Sequence, residues 1–107
     1  MTQPVILAKR AKEELHGNAR WWAEHRSQQQ AQRWYDGFIE ALESLAENPQ
    51  RCPLARENDR FPYELRELHY GLGSRPTHRA VFAIRPDMVL VLAIRHSAQR
   101  DLIEDDL

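Results

Sequence analysis

The chain has 107 residues, of which 42% are hydrophobic and 29% are charged, and its formal net charge is −1. This length predicts one domain over residues 1–107, and this composition excludes an intrinsically disordered chain. The net charge argues against a generally basic nucleic-acid-binding protein, and no apolar run approaches the roughly 20 residues that span a bilayer.

The first ten residues, MTQPVILAKR, contain no basic segment followed by a long apolar stretch. We therefore expect no signal peptide and no membrane partner. Cys52 is the only cysteine, which excludes an intrachain disulfide and is consistent with a reducing compartment. Together these features predict a cytoplasmic protein.

The first half of the chain predicts a strand followed by a helical hairpin. Residues 5–8 form a short apolar run bounded by proline and charge, as in a strand. Apolar residues then recur at helical spacing over residues 9–26. Ser27 begins a second helix, because Gln30 follows it in a capping-box pattern, and Pro49 ends the helical run at the residue before it.

The second half of the chain predicts three strands after a proline-containing loop. The segment YELRELHYG at residues 63–71 alternates imperfectly between apolar and polar, which favours a strand with a bulge. The segments THRAVFAI and MVLVLAI, at residues 77–84 and 88–94, are joined by a short turn. The last of them is apolar at every position, as expected for a central strand covered on both faces.

The predicted order is therefore β-α-α-β-β-β, with an acidic tail or short helix at residues 97–107. Sequential strands with short connections pair antiparallel, and the helical hairpin is expected to cover one face of that sheet. The sequence thus predicts an α+β fold.

The predicted last hairpin brings polar side chains together at its open end. If its turn contains only two residues, Arg79 lies opposite Ile94, and Arg79 and His96 become neighbours on one face. A turn one residue longer places Arg95 on that face instead of His96.

Arg79, His96 and Arg66 are the candidate catalytic or anion-binding residues. Arg79 suits a phosphate of RNA or a partner's carboxylate, but an ion pair with Glu64 or Glu67 explains it as well. His96 can exchange a proton near neutral pH, although an ordinary hydrogen bond at the sheet end is the commoner role. Arg66 lies between two glutamates in ELREL, so a surface salt bridge is the favoured explanation.

The aromatic and metal-binding residue types give weaker signals. Trp22 and Trp34 fall on the apolar stripes of the two helices and are expected in the core, whereas Trp21 lies off the stripe and indicates a partner surface. The five histidines and one cysteine show no metal-ligand spacing. We expect no metal and no cofactor, since phosphate-loop and dinucleotide glycine motifs are also absent.

Four segments of the chain occur in an order typical of one protein family. They are the strand-helix-helix start, the helix end LESLAENPQRCP, the strand segments ELREL and THRAVFAI, and the last strand with its extension, VLVLAIRHSAQRD. Over about residues 5–100, this order resembles the RelE/ParE superfamily of type II toxin–antitoxin toxins, the plasmid-stabilisation type.

The resemblance implies a compact growth inhibitor that is neutralised by a cognate antitoxin. RelE-like members cleave messenger RNA on the ribosome, and ParE-like members are linked to inhibition of DNA gyrase. Arg79 matches the arginine that contacts the scissile phosphate in the nuclease branch, and Arg66 falls near a basic position of that branch. Glu64, however, occupies a neighbouring position that is basic there, and no tyrosine follows Tyr70.

Three functions therefore stay open. The favoured one is a ParE-like toxin directed at DNA gyrase. The second is a RelE-like, metal-independent endoribonuclease that uses Arg79, Arg66 and His96 on ribosome-bound messenger RNA. The third is an inactive interaction module of the same fold, and a homodimer is compatible with all three.

Overall fold

The computed structural model describes residues 2–107. In chain order its main elements are β1 (Val5–Leu7), α1 (Lys9–His25), α2 (Gln28–Glu43), β2 (Arg66–Tyr70), β3 (His78–Ile84) and β4 (Val89–His96). The predicted α+β order is therefore confirmed.

The helical hairpin forms where the sequence predicts it. The backbone N–H of Gln30 donates to Ser27 Oγ at 3.0 Å, so the serine caps α2. The helix ends at Glu43, earlier than predicted, because Ser44–Ala46 tightens into a 3₁₀ turn and Asn48 adopts a positive φ of 49°. One face of α2 is buried against the sheet through Ala31, Trp34, Phe38 and Leu42.

The four strands form one mixed sheet in the order β1-β4-β3-β2. The strand β1 runs parallel to β4, while β3 is antiparallel to both β4 and β2. The uniformly apolar last strand is indeed central, since β4 has a neighbour on each side. Parallel strands need a long crossover connection. The chain between β1 and β4 supplies one, because it includes the whole helical hairpin.

Both faces of the sheet are covered. On the helix face, the two helices pack against a cluster that includes Ala80, Phe82, Val91 and Ile94. On the opposite side, which we call the loop face, Val81, Ala83 and Ala93 pack against Ala55, Phe61, Leu65 and Leu102. The hairpin covers one face as predicted, and the second cover consists of the proline-containing loop and the C-terminal tail.

The tail at residues 97–107 is mostly irregular, with one 3₁₀ turn at Glu104–Asp106. Leu102 is fully buried in the cluster of the loop face. The guanidinium of Arg100 donates to both carboxylate oxygens of Asp106, at 2.8 and 2.9 Å, and Arg10 of α1 donates to the Asp106 carbonyl. These contacts fix the tail against the body of the protein.

No helix within residues 2–107 combines the length and apolarity that a membrane crossing requires.

Each helix of the hairpin has one interior glycine. A Cβ at Gly17 of α1 meets nothing within 4 Å, whereas a Cβ at Gly37 of α2 would stand 2.1 Å from the hydroxyl oxygen of Tyr70. That hydroxyl donates to the carbonyl of Trp34 at 3.1 Å, and the Tyr70 ring is stacked on Phe38. Gly37 is therefore required by the close approach of β2 to α2.

We expect opposite effects from alanine at these two positions. Gly17→Ala should raise the free energy of unfolding by about 0.5–1 kcal/mol, because alanine loses less backbone entropy in a helix. Gly37→Ala should lower it by about 1–3 kcal/mol, because Tyr70 must leave its hydrogen bond and its stacked position. Urea denaturation of both variants measures the difference, and stabilisation by Gly37→Ala would contradict this packing.

Candidate functional site

A β-bulge in β4 decides which side chains share a face at the open end of the sheet. Near the turn, Phe82 pairs with Val91, as a two-residue turn requires, but Val81 pairs with Ala93, so Leu92 is the extra residue. The bulge predicted from the alternation of residues 63–71 is absent, since β2 pairs regularly with β3 over Arg66–Tyr70.

The bulge corrects the predicted register at the functional end. Arg79 pairs with Arg95 and not with Ile94, and His78 pairs with His96. The two arginines therefore lie on the loop face and the two histidines on the helix face. The prediction that Arg79 and His96 are neighbours on one face is therefore wrong. Arg95 takes the place of His96 beside Arg79, and the bulge causes this exchange, not a longer turn.

Arg79 is enclosed by carboxylates beneath the loop and the tail. Only 1% of the residue is exposed. Its two terminal nitrogens donate to the two carboxylate oxygens of Glu57, and Nη1 also donates to Glu67 Oε1 at 3.2 Å. The expected hollow that admits an external anion to Arg79 is therefore not present, and the ion-pair explanation describes its surroundings.

The charges of this pair stabilise each other. Burial opposes ionisation of Glu57, but the hydrogen bonds from Arg79 and from the backbone N–H of Leu102 more than offset it and hold its pKa below the usual value. Burial likewise opposes the charge of Arg79, but Glu57 and Glu67 raise the pKa of its guanidinium. Both groups are thus charged at neutral pH, as a buried bidentate pair requires.

Two further groups extend this buried network. Glu67 also accepts the backbone N–H of Arg56 at 3.1 Å, and its second oxygen contacts His69 Nε2. Arg95, which is 4% exposed, donates to the carbonyl of Arg100 at 2.7 Å, and its pKa is lowered by burial. The network therefore joins β2, β3, β4, the loop and the tail.

Arg66 shares no contact with the other two candidates. Its guanidinium donates to Glu64 at 2.9 Å and to the carbonyl oxygens of Cys52 and Gln50 at 2.7 and 3.2 Å. This is the predicted salt bridge, with two additional carbonyl acceptors from the loop. Arg66 pairs with Phe82, four residues along β3 from the partner of His96, which is a separation of about 13 Å along the strand.

His78 is buried on the helix face in its neutral form. Asn18 uses its amide nitrogen to donate to the carbonyl of Glu14 at 2.7 Å, so its Oδ1 accepts from His78 Nε2 at 3.0 Å. The other ring nitrogen, Nδ1, then accepts from the Thr77 hydroxyl at 2.8 Å. Burial, with a smaller contribution from neighbouring His96, lowers the pKa of His78 to about 4.

His96 is exposed at the end of β4. Its ring lies edge-on to that of His78, with 5.1 Å between centroids. The Nδ1 atom accepts the backbone N–H of Ala98 at 3.0 Å, so the proton of the neutral ring resides on Nε2. The ring therefore presents an N–H donor, and not a free base, to its surroundings.

The two histidines line a cavity of about 590 Å³ between α1 and the end of β4. Its other lining residues are Asn18, Trp21, Trp22, Arg26, Thr77 and Gln99. Trp21 is 44% exposed and stacks on His25, with 4.6 Å between ring centroids. The predicted exposure of Trp21 is confirmed. We call this feature the tryptophan cavity.

Several of these features have no signal in the sequence. Glu57 lies in the proline-containing loop, which shows no periodicity, so nothing predicts that it faces Arg79 across 22 residues. The tryptophan cavity was signalled only by the position of Trp21 off the helical stripe. Within the described part of the chain, no three histidine, cysteine or acidic side chains lie close enough together to hold a metal ion.

Fold and site together define a small α+β protein with a helical hairpin over a mixed sheet and an ion-pair network beneath it. The model of a family described as the ParE toxin of the type II toxin–antitoxin system parDE matches residues 5–101. The chain belongs to this family, and the predicted RelE/ParE resemblance is confirmed. Membership in a toxin–antitoxin system implies an antitoxin partner.

Structural comparison agrees with this assignment at the level of the fold. The chain is similar to a solved structure titled "Chromosomal ParDE TA system from P. aeruginosa", with a TM-score of 0.70 and 15% sequence identity. The match covers 89% of this chain and 96% of that chain. A search of curated protein sequences found no significant match.

Two glutamates on the same stretch of chain provide a test of the Arg79 network. Glu57→Gln should lower the free energy of unfolding by about 3–5 kcal/mol, because it leaves the buried guanidinium with too little negative charge. Glu64→Gln breaks only the exposed pair with Arg66 and should change it by less than about 1 kcal/mol. Urea denaturation of both variants checks this, and equal losses would contradict a buried pair.

The lowered pKa of His78 predicts a pH dependence of stability. As the pH falls below about 6.5 the unfolded chain binds a proton at this residue, whereas the folded chain does so only near pH 4. Stability is therefore complete above that range and is lost as the pH falls through it, by up to about 3 kcal/mol.

Urea denaturation at several pH values measures this loss. We expect His78→Gln to remove most of the decline and His16→Gln, at an exposed position on α1, to retain it. An identical pH dependence in the wild type and in His78→Gln would show that His78 does not titrate in this way.

Proposed function

We propose that this chain is a growth-inhibiting cytoplasmic toxin that acts on DNA gyrase by binding, without catalytic chemistry of its own, and that its antitoxin neutralises it. The observation that carries the proposal is the separation of the three candidate catalytic residues. A metal-independent endoribonuclease needs cationic groups and a proton-transfer group that converge on one phosphate. In this chain the candidates lie on different faces or at different ends of the sheet.

Arg79 supports the binding alternative most directly. Its guanidinium lies on the loop face, enclosed by Glu57 and Glu67. To contact a scissile phosphate, it would have to leave both carboxylates unpaired in a buried environment, which costs several kcal/mol. A catalytic role for Arg79 stays a prediction from the resemblance, and its contacts here are those of a structural residue.

Arg66 and His96 both belong to the helix face but are not neighbours. The donors of Arg66 are directed to Glu64 and to carbonyl groups of the loop. His96 lines the tryptophan cavity, where Arg26 is the only arginine or lysine among the lining residues. This arrangement offers little stabilisation to the two negative charges of a pentavalent phosphate.

Exposed apolar surface is the feature expected of a toxin that acts by binding. Trp21 on α1 and Ile6 on the edge strand β1 are each 44% exposed. Both lie outside the ion-pair network, on elements that a partner can reach. The homodimer considered from the sequence stays a prediction, and analytical ultracentrifugation of the purified chain tests it.

Induced expression of the chain should arrest growth with a DNA-damage response and with translation initially intact. The purified chain should inhibit gyrase supercoiling, and it should leave messenger RNA uncleaved in a reconstituted translation system. The matched variant is Arg66→Gln, which should inhibit gyrase as the wild type does, because Arg66 contacts only the chain's own loop.

The nuclease alternative predicts the reverse pattern. Messenger RNA would be cleaved only in the presence of ribosomes, and Arg66→Gln and His96→Gln would each reduce cleavage by at least about 100-fold. That outcome would contradict the proposal. If expression of the chain causes no growth arrest, and the purified chain neither inhibits gyrase nor leads to messenger RNA cleavage, the inactive interaction module is favoured.

A further inference from the structure

The tryptophan cavity combines three properties that are unusual for one surface of a small protein. It is large, at about 590 Å³, which is within the range of binding pockets. Its wall includes Trp21, whose indole is 44% exposed and is not needed to cover the core. Its rim carries Arg26, whose guanidinium lies 5.8 Å from the centroid of that indole.

The charge of the cavity is one-sided. The eight lining residues include one arginine and two histidines but no acidic residue. Arg26 makes no salt bridge to a carboxylate within residues 2–107, unlike Arg10, Arg56, Arg60, Arg66, Arg79 and Arg100. Its guanidinium therefore has no internal carboxylate to compete with a carboxylate of a ligand.

The polar groups of the cavity are arranged to donate. The Nε2–H of His96 has no acceptor in the described structure, because Nδ1 is the ring atom that pairs with Ala98. Arg26, in the lining of the same cavity, supplies further N–H groups. Both ring nitrogens of His78 are already hydrogen-bonded, to Asn18 and Thr77, so this residue offers no free donor or acceptor to a ligand. The site therefore suits a ligand that has acceptors beside an apolar group.

We propose that the tryptophan cavity is an anchor site for the antitoxin, and that it takes one large apolar side chain next to a carboxylate. The apolar side chain packs against Trp21 and Trp22, and the carboxylate pairs with Arg26 and accepts the Nε2–H of His96. This inference rests on the proposed function, because it identifies the partner as the neutralising antitoxin. Aromatic and arginine side chains are the residues that most often dominate interface energies.

Two other occupants fit the cavity less well. A single-stranded nucleic acid can stack a base on Trp21, but its affinity depends on several phosphate contacts and the lining supplies one full cation. A second copy of this chain has an acidic, apolar C-terminal tail, but Leu102 is already buried and Asp106 is already paired with Arg100. Each of these occupants is an outcome of the test below.

The test uses the full chain and the protein whose co-expression relieves its growth arrest, which defines the antitoxin. Trp21→Ala should weaken the complex by about 30-fold or more, as expected for a central aromatic anchor. Arg26→Glu should weaken it by at least about 10-fold, and reversing the charge of one antitoxin carboxylate should restore part of the loss. Isothermal titration calorimetry measures these affinities.

Two matched controls separate the cavity from general surface effects. Ile103→Ala removes an equally exposed apolar side chain from the tail, and Arg33→Glu makes the same charge change on the exposed side of α2. Both should bind the antitoxin as the wild type does. Circular dichroism confirms that each variant is folded, and Arg26→Glu still tests the site if Trp21→Ala is not.

The outcomes distinguish this inference from the function on which it rests. If no growth arrest occurs, or if no co-expressed protein relieves it, the proposed function fails and the inference fails with it. If the antitoxin binds both cavity variants as tightly as the wild type, only the inference is overturned. It is also overturned if Trp21→Ala abolishes binding of a single-stranded RNA oligonucleotide or self-association, while antitoxin affinity is unchanged.

Discussion

The buried guanidinium of Arg79 is the group on which the arrangement of the loop face depends. Removing an arginine from water costs several kcal/mol unless its charge and donors are matched. Two carboxylates, one from the loop and one from β2, match its charge and bind its terminal nitrogens, while its Nε has no partner within the described residues. Glu57 also accepts the backbone N–H of Leu102. The loop and the tail have little regular structure of their own, so this shared ion pair, together with the apolar cluster around Leu102, determines where they lie.

The bulge at Leu92 separates this structural chemistry from the surface of the helix side. Because one extra residue in β4 exchanges the faces of all residues beyond it, Arg95 joins Arg79 under the tail and His96 joins His78 beside α1. On the loop face, Arg79 is thus enclosed with two carboxylates, and Arg95 is buried with a carbonyl acceptor. The other face holds two histidines, an exposed tryptophan and Arg26, which has no salt bridge among the described residues, around an open cavity. A regular strand would have mixed the two sets.

The sequence predicts those parts of the fold that rest on periodicity and local chemistry. The stripe of α2 and the cap at Ser27 place the hairpin, and the uniformly apolar run of β4 identifies the central strand. The same uniformity conceals the bulge, because every residue from Met88 to Ile94 is apolar and no change of phase marks Leu92. Glu57 is equally invisible, since a loop has no period that indicates which side chain turns inward. The sequence therefore predicts that polar side chains gather at the open end of the last hairpin, but it pairs Arg79 with the wrong residue of β4.

These two features, which the sequence does not predict, support our proposal that the chain acts by binding. The residue types of a nuclease are present, and the resemblance alone assigns them to one site. Their chemistry, however, depends on convergence. An arginine that is bound bidentately by a buried glutamate acts as a crosslink of the fold, because both of its terminal nitrogens already bind carboxylates. What remains accessible near the end of β4 is an aromatic surface with hydrogen-bond donors and one cation, which recognises another protein more readily than it stabilises a phosphorane. The proposed antitoxin recognition and the proposed gyrase inhibition both call for such surfaces, and the loop-face network joins the loop and the tail to the sheet without contributing to either surface.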